Sequence, residues 1–430
     1  MRKNNRNRIK AKGLMIAFLV SFAFSAVVCP CVCSASMWSK TYGGAATDNA
    51  LGETVQAGDG GYTIFGDTRS FGAGGSDFWL IKTDADGNML WNQTYGGASS
   101  ETSGDMCLTS DGGYAMSGYT TSFGAGGQDF WLVKTDAAGN VQWNQTYGGT
   151  GNEYAYNVIQ TDDGGYLLTG NTNSFGEGSN DFWLVKTDSS GNMQWNQTYG
   201  GTDSETGMHV IQSGDGGYAI AGITDSFGAG SKDIWLIETD STGIMQWNQT
   251  YGGAGDEWGY VSLEQTNDGG FAIACQTDSF GAGSLDFWLV KTDGSGNMQW
   301  NQTYGGTGFD GAFYVIQTED GGYALAGFTG SNDYCLVKTD LDGNLEWNMT
   351  YGGTGMEWAY HVIQTDDGGY LLTGDTTSFG AGNKDIWLVK TDEYGVIPEG
   401  LTVGVMLLLS TVAAIVGIRI LRKRPKWKRR

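Results

Sequence analysis

An all-β, seven-bladed propeller of four-stranded antiparallel blades is the fold this sequence predicts, and three observations predict it. A tryptophan-led unit recurs seven times, at Trp38, Trp91, Trp143, Trp195, Trp247, Trp300 and Trp347. Each full unit holds four strand-like runs divided by two tight-turn motifs. The first and last units are incomplete in complementary ways.

Composition agrees. The 430 residues include 72 Gly but only 3 Pro, with 16 Trp, 21 Tyr and 18 Phe. Glycine without proline, beside so many aromatics, fits short strands joined by tight turns and not a disordered linker.

In chain order, residues 1–35 read as a secretory signal. Six basic groups between Arg2 and Lys12 precede an apolar run from Leu14 to about Val28, and small residues follow at Ser34, Ala35 and Ser36. Residues 37–396 carry the repeats. The spacings between successive unit tryptophans are 53, 52, 52, 52, 53 and 47 residues, and in the short unit Gly330–Asp333 replaces a longer loop. The third unit shows the order of elements. Tyr156–Thr161 is a strand, Asp162–Gly165 a turn, and Tyr166–Thr172 a second strand. A loop with Ser174–Gly178 leads to a third strand, Phe182–Thr187; Asp188–Asn192 turns into the fourth, Met193–Tyr199. Asp accepts local backbone N–H bonds and Gly takes positive φ, the chemistry of hairpins. The runs themselves are rich in Val, Ile, Thr, Tyr and Trp.

Four antiparallel strands per unit make a propeller blade, and stacked blades bury both sheet faces. Closure follows from the ends. The first unit opens with a lone fourth-type strand from Met37 to Tyr42, and the last stops after its third strand and a turn at Gly395. The N-terminal strand should therefore become the outer strand of the last blade, which removes an open edge. A solenoid, the main competitor, gains nothing from such ends.

Residues 401–418 carry no charge and read as a transmembrane helix, rising about 27 Å. The basic run 419–430 beyond it should stay cytoplasmic, placing the propeller outside the cell. The six basic groups of residues 1–36 and the eight of 419–430 leave ten against all 47 acids in between, a formal charge of −37. Such a body repels phosphate backbones, so nucleic acid is excluded as a partner. Cys29, Cys31 and Cys33 fall in the signal, while Cys107, Cys275 and Cys335 sit in separate strand runs and read as small buried side chains.

The units resemble the Trp-Asn-x-Thr-Tyr-Gly-Gly, Asp-Gly-Gly-Tyr and Lys-Thr-Asp-x-x-Gly-Asn repeats of bacterial and archaeal surface β-propellers over residues 38–395. The resemblance implies a cell-surface propeller and is nearly silent on activity. The Leu-x-Lys-Thr-Asp-x-x-Gly-x-x-x-Trp run also resembles the tryptophan-docking stretch of quinoprotein propellers, which implies that the last strand is outermost. The tail with Pro398-Glu399-Gly400 is similar to the three-part sorting signals of archaeal surface proteins, implying exchange of the span for a lipid.

Four acidic positions recur in every unit and account for 28 of the 47 acids, four in each of seven units. They are the Asp of Asp-Gly-Gly, the Asp before the third strand, the Asp of Lys-Thr-Asp, and an acid shortly after Gly-Gly. The first three read as turn and capping residues. The last set is Asp48, Glu101, Glu153, Glu205, Glu257, Asp310 and Glu357, each at the start of an innermost strand. Seven carboxylates there could ring one mouth of a central channel and bind a cation such as Ca²⁺. The alternative is that each caps backbone N–H groups in its own blade. Asp84–Asn88 and Asp340–Asn344 have a calcium-loop look without its downstream Glu, so a hairpin turn is the better reading. Six sequons, at Asn92, Asn144, Asn196, Asn248, Asn301 and Asn348, are candidate glycan acceptors or duplicated structural residues.

No catalytic constellation stands out. His209 and His361 are the only histidines and lie far apart in sequence without metal-ligand spacing. Arg69 is the sole arginine of the repeat region. No cofactor is indicated. The expected role is a membrane-anchored surface module for adhesion, scaffolding or binding of a glycan or protein partner. The loop groups Asn152-Glu153-Tyr154, Asp256-Glu257-Trp258 and Met356-Glu357-Trp358 are candidate contacts. The competing expectation is an exported carbohydrate-active hydrolase or lyase working with two carboxylates.

Overall fold

The computed structural model describes residues 37–214 and 216–397. The expected signal segment, membrane span and basic tail lie outside them. Among the described residues no helix is long and apolar enough to cross a membrane.

The described chain forms seven antiparallel sheets arranged as the blades of a propeller. Blade 3 is representative, with strands Glu153–Gln160, Tyr166–Thr172, Asp181–Thr187 and Met193–Tyr199 from the axis outward. The ring closes as the ends require. Strand Trp38–Tyr42 pairs antiparallel with Asp385–Lys390, setting Thr41 opposite Trp387 and Trp38 opposite Lys390. Blade 7 thus takes its fourth strand from the start of the repeat region.

Second and third strands are buried along their whole length, whereas the outer strands are largely exposed. Both faces of a middle strand meet a neighbouring blade, so its sequence does not alternate between apolar and polar. The buried apolar side chains form seven clusters, one in each gap between adjacent blades. Between blades 2 and 3, for example, Phe130, Leu132 and Tyr147 meet Val158, Leu168, Trp183 and Val185. Ring packing recurs across the gaps, with Phe130 and Trp183 centroids 4.7 Å apart and Phe182 and Trp235 5.1 Å apart.

A seam of hydrogen bonds repeats beside this packing. The outer-strand tyrosine of each blade donates to the carbonyl of a turn glycine in the next. Tyr95 reaches Gly139 at 2.7 Å, Tyr147 reaches Gly191 at 2.7 Å, and Tyr42 carries the seam across the closure to Gly87 at 2.6 Å. These turn glycines are required twice over. Gly139 has φ of 79°, and a Cβ on it would stand 2.9 Å from the Trp91 ring of the previous blade. Cys107, Cys275 and Cys335 are free thiols, the last two buried.

Candidate functional site

The innermost strands converge on the axis, and six of the seven share an irregularity. In blade 3 the pairing register slips between Ala155 and Asn157; in blades 4, 6 and 7 it slips between Gly207 and His209, Ala312 and Tyr314, and Ala359 and His361. In blades 2 and 5 the slip is wider, with Gly259 at φ of 87° in blade 5. A bulge inserts an unpaired residue and re-aims the side chains around it. Here it turns two consecutive residues toward the axis.

Those residues line a cavity of about 280 Å³ to which all seven blades contribute. One circle consists of Glu53, Asp105, Asn157, His209, Ser262, Tyr314 and His361. It occupies the same place in each blade, yet almost no residue type recurs. Turn, core and seam positions stay nearly constant through all seven units, so the fold does not demand this variety.

Neighbouring members of the circle are linked. Val210 N–H donates to Asn157 Oδ1 at 3.1 Å, Leu263 N–H to His209 Nδ1 at 2.8 Å, and Val315 N–H to Ser262 Oγ at 3.2 Å. The bond to Nδ1 leaves the His209 proton on Nε2. Asp105 accepts from Glu53 N–H, Met106 N–H and the Asn157 amide. His361 differs. It is 3 % exposed and neither ring nitrogen has a hydrogen-bond partner among the described residues. Its ring lies 3.9 Å from that of Tyr314, and its Nε2 stands 3.7 Å from Glu53 Oε1.

Burial governs the charges. It pushes Asp105 up to about 6 against the three donors that favour its ionised form. It also raises Glu53 well above the usual carboxylate range, helped by the nearby charges of Asp105 and Glu264, and lifts Glu264 to about 7. Burial also holds His209 down to about 4 and, with His209 as a neighbour, His361 down to about 3. The Glu53–His361 contact therefore sets a carboxyl with a raised pKa beside a neutral imidazole. Among the described residues, no lysine or arginine lines the cavity, and no group of acids, cysteines and histidines is arranged to hold a metal ion.

An aromatic wall rises on the side of blades 5 to 7. Phe313 stacks on Tyr360 at 5.0 Å and meets Tyr260 edge-on at 5.6 Å, all three lining the cavity. Ring contacts continue outward through Phe328 and Phe309 to the exposed Trp258. Tyr119 and Tyr154 pair at 4.9 Å across from it.

The carboxylates singled out from the sequence lie elsewhere. Asp48, Glu101, Glu153, Glu205, Glu257, Asp310 and Glu357 are buried, and none lines the cavity. Glu153 accepts from Gly149 N–H at 2.8 Å and Thr172 Oγ1 at 2.9 Å, and Glu101, Glu205, Glu257 and Glu357 make the same pair of bonds in their blades. Asp48 bonds Gly44 N–H and Thr68, and Asp310 bonds Gly306 and Gly330 N–H. These are the bonds of the capping alternative. Asp84 and Asp340 likewise hold their own turns through the N–H groups of Asn88 and Asn344.

All six sequon asparagines are exposed. In five of them the side-chain oxygen accepts a buried indole N–H, as Asn144 does from Trp131 at 3.2 Å. Asn348 pairs with Val337, and its blade carries Cys335 where the others carry that tryptophan. Of the loop groups, Tyr154 reaches the cavity, Trp258 and Trp358 join the aromatic wall, and the three glutamates are capping residues. The histidines correct the sequence reading: His209 and His361, far apart along the chain, face one cavity with Tyr314 between them. Aligning the seven units and seeking the position that fails to repeat would have found the circle.

No family model matches the sequence, and no curated protein does. Similar solved structures include the polysaccharide lyase Uly1, at 10% identity over 81% of this chain and 92% of that one, TM-score 0.50. The Neurospora crassa Pan2 WD40 domain is also similar, at 10% identity over 85% of this chain and 98% of that one, TM-score 0.50. At these identities the likeness concerns the propeller fold alone.

Proposed function

We propose that the protein is an exported, membrane-anchored binding propeller of the cell surface whose axial cavity takes a glycan. The observation that carries this reading is the circle of unlike polar side chains on an otherwise repeating frame. Polar groups at the floor of the cavity can fix hydroxyls, and the rings of Tyr260, Phe313 and Tyr360 offer faces for stacking a sugar. The formal charge of −37 on residues 37–418 turns away anionic partners. The signal-like start, the apolar tail and the resemblance to surface repeats support the location. A surface protein as ligand, or a purely scaffolding role, is the competing form of the same reading.

The test is a glycan array with the full-length protein, followed by titration of the best ligand against a Tyr260→Ala variant. Binding of a neutral or cationic oligosaccharide, weakened roughly tenfold or more by the substitution, is the expected result. Absence of any glycan signal, or equal binding by the variant, sinks the reading.

One observation favours a second reading, an exported hydrolase or lyase. Glu53 and Asp105 are half-buried carboxyls with raised pKa near a neutral His361, an arrangement suited to proton transfer. Product release from the bound oligosaccharide, abolished in Asp105→Asn, would establish it.

A further inference from the structure

We infer that the glycan taken by the axial cavity carries a free amine, whose ammonium group sits over Glu53 and His361 beneath the aromatic wall; the inference rests on the glycan reading above. The floor of the cavity holds polar atoms that lack partners. No hydrogen-bond donor among the described residues reaches the Glu53 carboxyl, and His361 Nε2 is 3.7 Å from it, too far for a hydrogen bond. Both nitrogens of the buried His361 ring are unpartnered, although a buried polar atom without a partner is costly and uncommon. Glu53 and Asp105 share the cavity with no lysine or arginine among the described residues to neutralise them.

A primary ammonium supplies what is missing. It has three N–H donors and no acceptor, so it can bond the Glu53 carboxylate and the free His361 nitrogen together. It also brings the counter-charge that lets a desolvated carboxyl ionise. The tyrosine rings of the lining that are not buried, Tyr260 and Tyr360, attract a cation placed against a free face. A hydroxyl offers one donor and no charge, and a quaternary amine offers charge and no donor. A sugar is favoured over a lysine side chain because four tyrosines that are not buried, Tyr119, Tyr154, Tyr260 and Tyr360, line the cavity on two sides, which suits a broad rigid ring better than a thin alkyl stem.

The test is calorimetric titration of the full-length protein with four probes. These are a β-1,4-linked glucosamine tetramer, its N-acetylated counterpart, cellotetraose and Nα-acetyl-lysine amide. The expected result is roughly tenfold or greater preference for the free amine over the N-acetylated and neutral tetramers. That preference should vanish in Glu53→Gln, leaving the free-amine tetramer no tighter than the N-acetylated and neutral ones. Equal affinity for the three tetramers, or a preference that survives Glu53→Gln, overturns the inference and leaves the glycan reading standing. Binding by none of the tetramers overturns both. Lysine amide binding as tightly as the glucosamine tetramer overturns the assignment to a sugar. If Glu53→Gln does not fold, the wild-type series alone decides.

Discussion

His361 and His209 are uncharged in the fold at a pH where free imidazoles begin to charge, and this ties stability to pH. The unfolded chain takes up a proton at each near 6.5, whereas the folded protein resists until about 3 and about 4. Between those limits the unfolded state holds more protons, so each histidine contributes stability that is present above pH 6.5 and is lost as pH falls. The slope is at most about 1.4 kcal/mol per pH unit for each. Asp105 acts in the opposite direction over part of the range, because its folded pKa of about 6 lies above the ordinary 3.8. The informative quantity is therefore a difference. Denaturant unfolding of His361→Asn against wild type, from pH 7 to pH 4, should show the variant gaining relative stability steadily below 6.5. A difference that stays constant with pH removes the argument. At this scale the sequence was least legible. Glu153 announces itself by recurring, and recurrence marks a frame role. Glu53 recurs nowhere and His361 only once, as His209, while an extra residue in the inner strand of blade 5 shifts Ser262 out of simple alignment with Asn157.

At the scale of elements, the two turns of each blade look alike and carry different loads. Gly112, in the Asp-Gly-Gly turn, has φ of 81° and open space where a Cβ would go. Gly139, in the outer turn, has φ of 79° and the Trp91 ring 2.9 Å from that place. Gly112→Ala should cost only the left-handed backbone, about 1–2 kcal/mol. Gly139→Ala should cost clearly more, since it also pushes Trp91 off its seat and loosens the adjoining Tyr95 seam bond. Thermal unfolding of the two variants side by side checks the order, and equal melting temperatures would show that the tryptophan does not bear on the turn. Both turns could be read from their Asp and Gly residues because turn chemistry is local. The bulge could not: it leaves no fixed residue signature, and only pairing with the second strand defines it.

For the whole molecule, the closing strand carries the ring. Without residues 37–42, Asp385–Lys390 becomes an edge of unpaired backbone, and the apolar cluster containing Leu371, Ile386 and Leu388 loses Trp38 and Tyr42. Exposed edges of this kind pair with other chains. A deletion of 37–42 should elute as dimers or larger species in light-scattering chromatography and melt at a lower temperature. A monomer with wild-type melting would refute the role given to the strand. Blade number and closure were legible from the sequence because both follow from counting: seven tryptophan-led units, with one strand surplus at the start and one lacking at the end.

The frame and the cavity wall are also separable in descent. Each blade lends the axis its own few side chains, and none of the seven seam bonds or hairpin turns depends on which ones they are. Exchanging one blade's set alters about a seventh of the lining and leaves the scaffold's wiring as it was. Daughter copies of such a chain could accordingly acquire new tastes by single steps, each reversible and each nearly silent in folding.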